Sequence, residues 1–285
     1  MKINKISPLD NKYLQIVDNI AKPPKSLYYA GTLPEKRLPT VAIVGTRKPT
    51  SYGKEVTVRF AEELARRGIL IVSGLALGVD GLAHKAAIEA GGKTIAVLGN
   101  GLPEIYPASH RNLANEIINS GGAIMSEYEP HTKARPHYFL ERNRIVSGLA
   151  DAIIITEAAA QSGTLNTAAH ALEQGKEVFV VPGNITSPMS LGCNQLIKQG
   201  ATPLTDSDDI LSVIAPDTLA SQAILPLGSN PLETSILQFM ASGVRDGDEI
   251  RLKAGLDATE FSTALTMLEI NGVIRNLGAN QWTIR

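Results

Sequence analysis

Thr40-Val41-Ala42-Ile43-Val44-Gly45-Thr46-Arg47 decides the fold: an unbroken run of β-branched and small residues stops abruptly at a glycine, a hydroxyl and a cation. A strand exposed on one face alternates apolar and polar residues, whereas a run without alternation suits a strand buried on both faces. The same signature recurs at residues 69–72, 94–98, 123–125, 152–156 and 178–181. Helix-period segments separate these runs at 54–67, 81–90, 111–120 and 165–174, closed by Gly68, Gly91, Gly121 and Gly175 as C-terminal stops. Repeated strand-helix alternation predicts a Rossmann-like, doubly wound α/β parallel sheet over residues 40–215.

Outward from this core the pattern changes. Residues 1–39 carry Pro8, Pro23, Pro24, Pro34 and Pro39 among short apolar pieces, which predicts an irregular lead packed on the sheet as a cover. A short helix is expected at 208–214, and the mixed Pro, Ser and Gly of 216–230 read as a linker. From 231 to 285 the order is helix (232–241), short helix (248–254), helix (259–271) and two strands around 277–280, the plan of a small winged-helix domain.

Composition narrows the setting. With 27 Lys+Arg against 28 Asp+Glu and a formal charge of -1, the 285-residue chain carries no global charge that calls for a polyanion, so a nucleic-acid site must be a local patch. A single cysteine, Cys193, and an N-terminus without a basic-then-apolar leader predict a cytoplasmic protein with no membrane contact.

In a doubly wound sheet, ligands meet the carboxyl ends of the strands. Three loops there have unusual chemistry. Gly45-Thr46-Arg47, followed by Ser51-Tyr52-Gly53, sets small residues, a hydroxyl and a guanidinium at a helix start, an arrangement suited to phosphate. Ser73-Gly74 opens a glycine-rich turn that lets backbone approach a ligand, and Ser162-Gly163-Thr164 again precedes a helix. Each loop alone serves equally well as an ordinary turn or cap; three on one sheet edge are harder to explain that way. Beside them stand Lys133, Arg135, Tyr138, Phe139, Arg142, Asn143 and Arg144, cations interleaved with rings that can hold a sugar-phosphate chain while unpaired bases stack. The competing reading pairs Arg142 or Arg144 with a neighbouring carboxylate such as Glu141.

These residues carry a resemblance. Ser73-Gly74-Leu75-Ala76-Leu77-Gly78-Val79-Asp80, Tyr106-Pro107, Arg142-Asn143-Arg144-Ile145, Ser162-Gly163-Thr164-Leu165, Val181-Pro182-Gly183 and Gly192-Cys193-Asn194 follow one another as in the DNA-processing protein A family (DprA, also called Smf). The resemblance implies an extended Rossmann fold, a homodimer and single-stranded DNA held in a basic pocket by Arg47 and residues 139–144. It further implies delivery of incoming DNA to the RecA recombinase during natural transformation. The chain departs from the family at Leu140-Glu141, where a proline and a basic residue are usual, which makes the expected pocket less positive. Residues 1–22 are also too short for the N-terminal helical module of many members.

Enzyme readings fare worse. A nicotinamide site needs Gly-x-Gly-x-x-Gly, but Gly45-Thr46-Arg47-Lys48-Pro49-Thr50 has one glycine. A phosphoribohydrolase-like nucleotide enzyme is the alternative on the same fold, yet Thr167 stands where its catalytic glutamate belongs, leaving Glu157 or Glu127 as substitutes. We expect no catalytic residues and no cofactor. His84, His110, His131, His137 and His170 show no metal-ligand spacing, Asp80 and His84 read as a cap and a local hydrogen bond, and Cys193 reads as a buried small residue. The candidate recognition helix, 258–269, holds two glutamates and no Lys or Arg, so it is expected to contact protein, or DNA only weakly through Arg251, Lys253 and Arg275.

Overall fold

Two short strands, β1 (Asn4–Ile6) and β2 (Leu27–Gly31), precede the six apolar runs, which form β3 (Thr40–Val44), β4 (Leu70–Ser73), β5 (Thr94–Val97), β6 (Ala123–Ser126), β7 (Ala152–Ile155) and β8 (Glu177–Val180); a two-residue β9 (Thr202–Pro203) follows. This computed structural model describes residues 1–216, 230–278 and 280–284. Among them the strands lie in the order β1-β2-β6-β5-β4-β3-β7-β8-β9. From β6 to β9 every pairing is parallel, and the order reverses between β3 and β7. Connections run through α1 (Ser51–Arg66), α2 (Val79–Glu89), α3 (Arg111–Asn119), α4 (Pro136–Leu149), α5 (Thr164–Glu173) and α6 (Leu191–Lys198), with α7 (Ser207–Ile214) after β9.

The lack of alternation in the strands is explained by their two covered faces. Ala42, Val44, Val72, Val97, Ile153 and Ile155 pack with Ile145, Val146 and Leu149 of α4 and with Ala168 and Ala171 of α5. On the other face Ala96 and Ile124 pack with Ala114 and Ile117 of α3. The chain divides into two compact units, Met1–Pro216 and Asp217–Arg285. Apart from its two end residues, the expected linker at 216–230 lies outside the described residues.

Residues 1–39 are not an irregular cover. β1 pairs antiparallel with β2, and β2 antiparallel with β6, so the segment extends the sheet. Between the two strands Tyr13, Leu14 and Val17 are fully buried against α4 and belong to the main core. Burial pushes the Tyr13 hydroxyl up to about 12.

Residues 136–149 form a helix that the chain's periodicity did not announce. Pro136 occupies its first turn, where a missing N–H costs nothing. Two positions apart on a helix means roughly 200° around its axis, so Arg142 and Arg144 point to different sides. Arg144 is taken up by the loop after β6: its Nη1 and Nη2 donate to the two oxygens of Glu127 at 2.7 and 2.6 Å, and its Nε donates to the Lys22 carbonyl at 2.9 Å. Expected as a DNA contact, it is 14% exposed and ion-paired, and it does not line the cavity at the carboxyl ends of the strands.

In the second unit α8 (Pro231–Ala241), α9 (Gly247–Ala254) and α10 (Ala258–Ile270) precede an antiparallel hairpin of β10 (Ile274–Gly278) and β11 (Gln281–Ile284). Ile236, Leu237, Ile250, Leu265, Leu268, Ile274 and Trp282 make its separate core. Asp257 and Glu260 form a capping box that closes the N-terminus of α10 with two carboxylates. Lys253 is paired with Glu249 at 2.8 Å.

His84 on α2 is fully buried. Thr94 Oγ1 donates its one hydrogen to the Ile71 carbonyl at 2.7 Å, so at 2.6 Å it accepts from His84 Nδ1, which places a proton on that nitrogen. Burial pushes this imidazole down to about 3.

Two outcomes follow from these contacts. Arg144→Ala leaves the half-buried Glu127 without its partner and is expected to cost the first unit about 1.5 to 3 kcal/mol of stability, read from the denaturant midpoint. All seven tyrosines lie in the first unit and the one tryptophan, Trp282, in the second, so tyrosine signals isolate the effect. His84 refuses a proton that the unfolded chain accepts; its contribution to stability is therefore complete above pH 6.5 and lost as pH falls toward about 3. Between pH 6 and 5 it adds a loss of about 1.4 kcal/mol per pH unit, and His84→Gln is expected to flatten that slope.

Candidate nucleic-acid interface

The reversal of strand order between β3 and β7 leaves a crevice at the carboxyl ends of the sheet, the place where ligands of such folds sit. A cavity of about 410 Å³ occupies it, and three loops and the first turns of α4 contribute its walls. From β3 come Gly45 and Arg47, from the β4 turn Gly74 and Asp80, from α4 Phe139, Arg142 and Asn143, and from the start of α5 Ser162, Gly163 and Thr164.

Arg142 is the deepest cation, 4% exposed. Its Nη1 donates to the Val97 carbonyl at the end of β5, and the guanidinium lies flat against Gly74, where any Cβ would overlap it. The glycine is therefore required by close packing rather than by a turn. Asp80 stands in electrostatic reach and accepts from the backbone N–H groups of Gly74 and Ala76 at 3.0 and 3.4 Å. Burial pushes the Asp80 carboxyl up and the Arg142 guanidinium down, the nearby opposite charge resisting both shifts. Arg142 Nε is buried and has no hydrogen-bond partner.

The α5 terminus faces the same space. Gly163 at its N-cap offers no side-chain cap, and a Cβ there would meet nothing within 4 Å. Ser162 Oγ donates to Thr164 Oγ1 at 2.9 Å and accepts from the Thr164 N–H at 3.2 Å, while the Leu165 and Asn166 N–H groups donate to the Ser162 and Gly163 carbonyls at 3.1 and 3.2 Å, so the turn is held from within. Asn143 donates to Asn166 Oδ1 at 3.3 Å and links α4 to α5. Across the mouth, the exposed Arg47 guanidinium sits 5.9 Å from the centre of the Phe139 ring, and Phe139 lies 5.2 Å from Tyr106 at a 37° tilt. Tyr106, half in solvent, was missed as a site residue; its one signal was an aromatic next to a proline in a strand-end loop.

Other expected residues stand elsewhere. Ser51, Tyr52 and Gly53 do begin α1, but Glu157 fills that anion site from within: its carboxylate accepts from the Thr50 N–H at 2.8 Å and the Thr50 hydroxyl at 2.6 Å. Gly53 is needed because a Cβ would overlap that carboxylate, and the Tyr52 hydroxyl donates to the Pro182 carbonyl at 2.7 Å. Thr46 acts through its backbone, donating to the Glu157 carbonyl at 2.8 Å. Ser73 is fully buried and donates to the Ile43 carbonyl. Lys133 is exposed and lines neither the cavity nor its mouth. Leu140 lines the cavity, while Glu141 accepts from the Tyr128 hydroxyl at 2.8 Å, away from the lining. The two carboxylates that could replace a catalytic glutamate are both engaged, Glu157 with Thr50 and Glu127 with Arg144. Cys193 is buried, and burial pushes its thiol up to about 12.

Comparison with known proteins agrees with this architecture. Residues 4–215 match the family model of DNA recombination-mediator protein A, and residues 215–280 match the DprA winged helix domain. Protein Smf of Escherichia coli is 40% identical over 260 residues, covering 88% of this chain and 69% of that protein. The DprA structure from Streptococcus pneumoniae superposes with a TM-score of 0.70 at 38% identity over 75% of each chain. That of Helicobacter pylori, described for its single-stranded DNA binding mode, gives 0.66 at 34% identity over 76% of this chain and 97% of its own. The chain belongs to the DNA recombination-mediator protein A family, known as DprA or Smf.

Proposed function

We propose that this protein binds single-stranded DNA at the switch-point cavity and does not act as an enzyme. One observation carries the reading: the Arg142 guanidinium and the start of α5 line one cavity whose mouth holds Arg47 over the Phe139 ring. A phosphate in the cavity meets the charge of that guanidinium and the positive end of the helix dipole. Unpaired bases then lie against Phe139 and Tyr106, a stack that paired bases cannot reach. The engaged state of Glu127 and Glu157 supports binding over nucleotide cleavage. Family membership supports the wider reading: a cytoplasmic homodimer that protects incoming strands and loads the RecA recombinase on them during transformation.

A salt titration with a fluorescent oligonucleotide, single-stranded and duplex in parallel, tests the proposal. Arg47→Ala is expected to weaken single-strand binding roughly ten-fold and to reduce the log-log salt slope by about 0.7, the share of one phosphate. Phe139→Ala is expected to cost about 1 to 3 kcal/mol with the slope unchanged, because stacking is uncharged. Binding without salt dependence, or release of free base from nucleoside monophosphates with sustained turnover, would reverse the assignment. Deleting residues 231–285 is expected to leave single-strand affinity within a few-fold, since α10 offers phosphate only capped carboxylates at its start; a hundred-fold loss would show the contrary.

A further inference from the structure

The opposite rim of the sheet, where β4 and β5 begin, carries a second recess of about 530 Å³ beneath the connection from β2 to β3. Its floor is apolar: half-buried Leu33 and Leu38 from the connection lie over the buried Leu70 and Ile95 of the strands. Its rim is cationic. Lys12, Lys36 and Lys93 are all exposed around it, against one carboxylate, Glu35. Among the described residues no carboxylate lies within ion-pair distance of any of the three ammonium groups, although Arg37, beside them in sequence, is paired with Asp151 at 2.6 Å. Gly121 and Gly122 form part of one wall, where Gly122 is buried with its Cα packed against the Thr94 carbonyl.

The combination selects among anions. A nucleic-acid strand would use the lysines, but the lining holds no aromatic ring for a base, and the apolar floor would go unused. An anionic bilayer meets convex basic surfaces with protruding apolar side chains, whereas here the lysines surround a depression. A peptide uses both parts: its carboxylates meet the rim and a large apolar side chain fills the floor. We infer that this recess docks an acidic protein segment that inserts one large apolar side chain between flanking carboxylates. The site is separate from the switch-point cavity, and the two stand or fall independently.

The test uses the full chain and a fluorescent peptide, Glu-Glu-Phe-Leu-Glu-Glu, with Lys-Lys-Phe-Leu-Lys-Lys and Glu-Glu-Ser-Gly-Glu-Glu as controls. Saturable binding is expected for the first alone, weakening as salt rises, with methyl resonances of Leu33 and Ile95 shifting on titration. The double variant Lys36→Glu/Lys93→Glu, both positions exposed, is expected to lose at least ten-fold in peptide affinity while oligonucleotide affinity stays unchanged. Leu33→Ala, which removes floor and no charge, is expected to weaken the peptide several-fold. Equal binding of the Ser-Gly control, no binding of any peptide, or a matching loss of oligonucleotide affinity in the lysine variant would overturn the inference.

Discussion

A guanidinium buried where the β4 turn, the end of β5 and the start of α4 converge sets the geometry of the site. Taking Arg142 out of water is costly, and its surroundings offset that cost only in part. The Val97 carbonyl takes one donor and Asp80 supplies an opposite charge at a distance, while Nε keeps no partner. The arrangement also dictates backbone: Gly74 must lack a side chain for the guanidinium to lie against it, and Asp80 gathers the amides of Gly74 and Ala76 so that the turn wraps around the charge. Arg144 gives its fork to a carboxylate, whereas the hydrogen bond of Arg142 goes to a neutral carbonyl. A cavity-lining cation without a direct carboxylate partner keeps more of its field for an anion from outside.

Two helix starts at this crevice look alike in sequence and end differently. Gly-Thr-Arg before α1 and Ser-Gly-Thr before α5 both promise free amides beside small residues. At α1 the promise is consumed internally, because Glu157, 107 residues from Thr50, brings its carboxylate to the cap. At α5 the Thr164 N–H goes instead to the neighbouring Ser162 hydroxyl, a partner without charge. Local composition specified the turn, and a non-local partner decided whether an anion could still enter it. Arg144 taught the same lesson: Glu127, not the adjacent Glu141, took its fork.

Burial on both sheet faces made the core legible, since it leaves continuous β-branched runs that no other element imitates. The strands that escaped notice are the two-residue β9 and the pair on the antiparallel edge. Asn4-Lys5-Ile6 is three residues with a polar majority, and Leu27–Gly31 is partly exposed and follows two prolines, so neither shows the pattern of a buried strand. The helix at Pro136–Leu149 was hidden by a proline, three rings and two arginines within its first nine residues, residue types that suggest a surface tract. The cavity's general place was readable from the fold rule for strand ends; which side chains share it depended on α4 being helical, because only that separates Arg142 from Arg144 by half a turn.

The charge that remains free is modest. Arg144 is neutralised and Arg142 faces Asp80, so attraction for a strand rests on Arg47, the start of α5 and the remaining field of Arg142. Such a site engages few phosphates and gives a shallow salt dependence, which suits a protein whose formal charge is -1. Weak single sites on one flexible polymer gain strength when a strand spans several of them, because each further engagement is intramolecular at an effective concentration set by the intervening nucleotides. In the proposed dimer a second copy of the chain would have a physical use: it would convert a shallow grip into a stable hold without deepening any one cavity. It would also let a strand be released site by site, whereas a strongly basic groove would keep it.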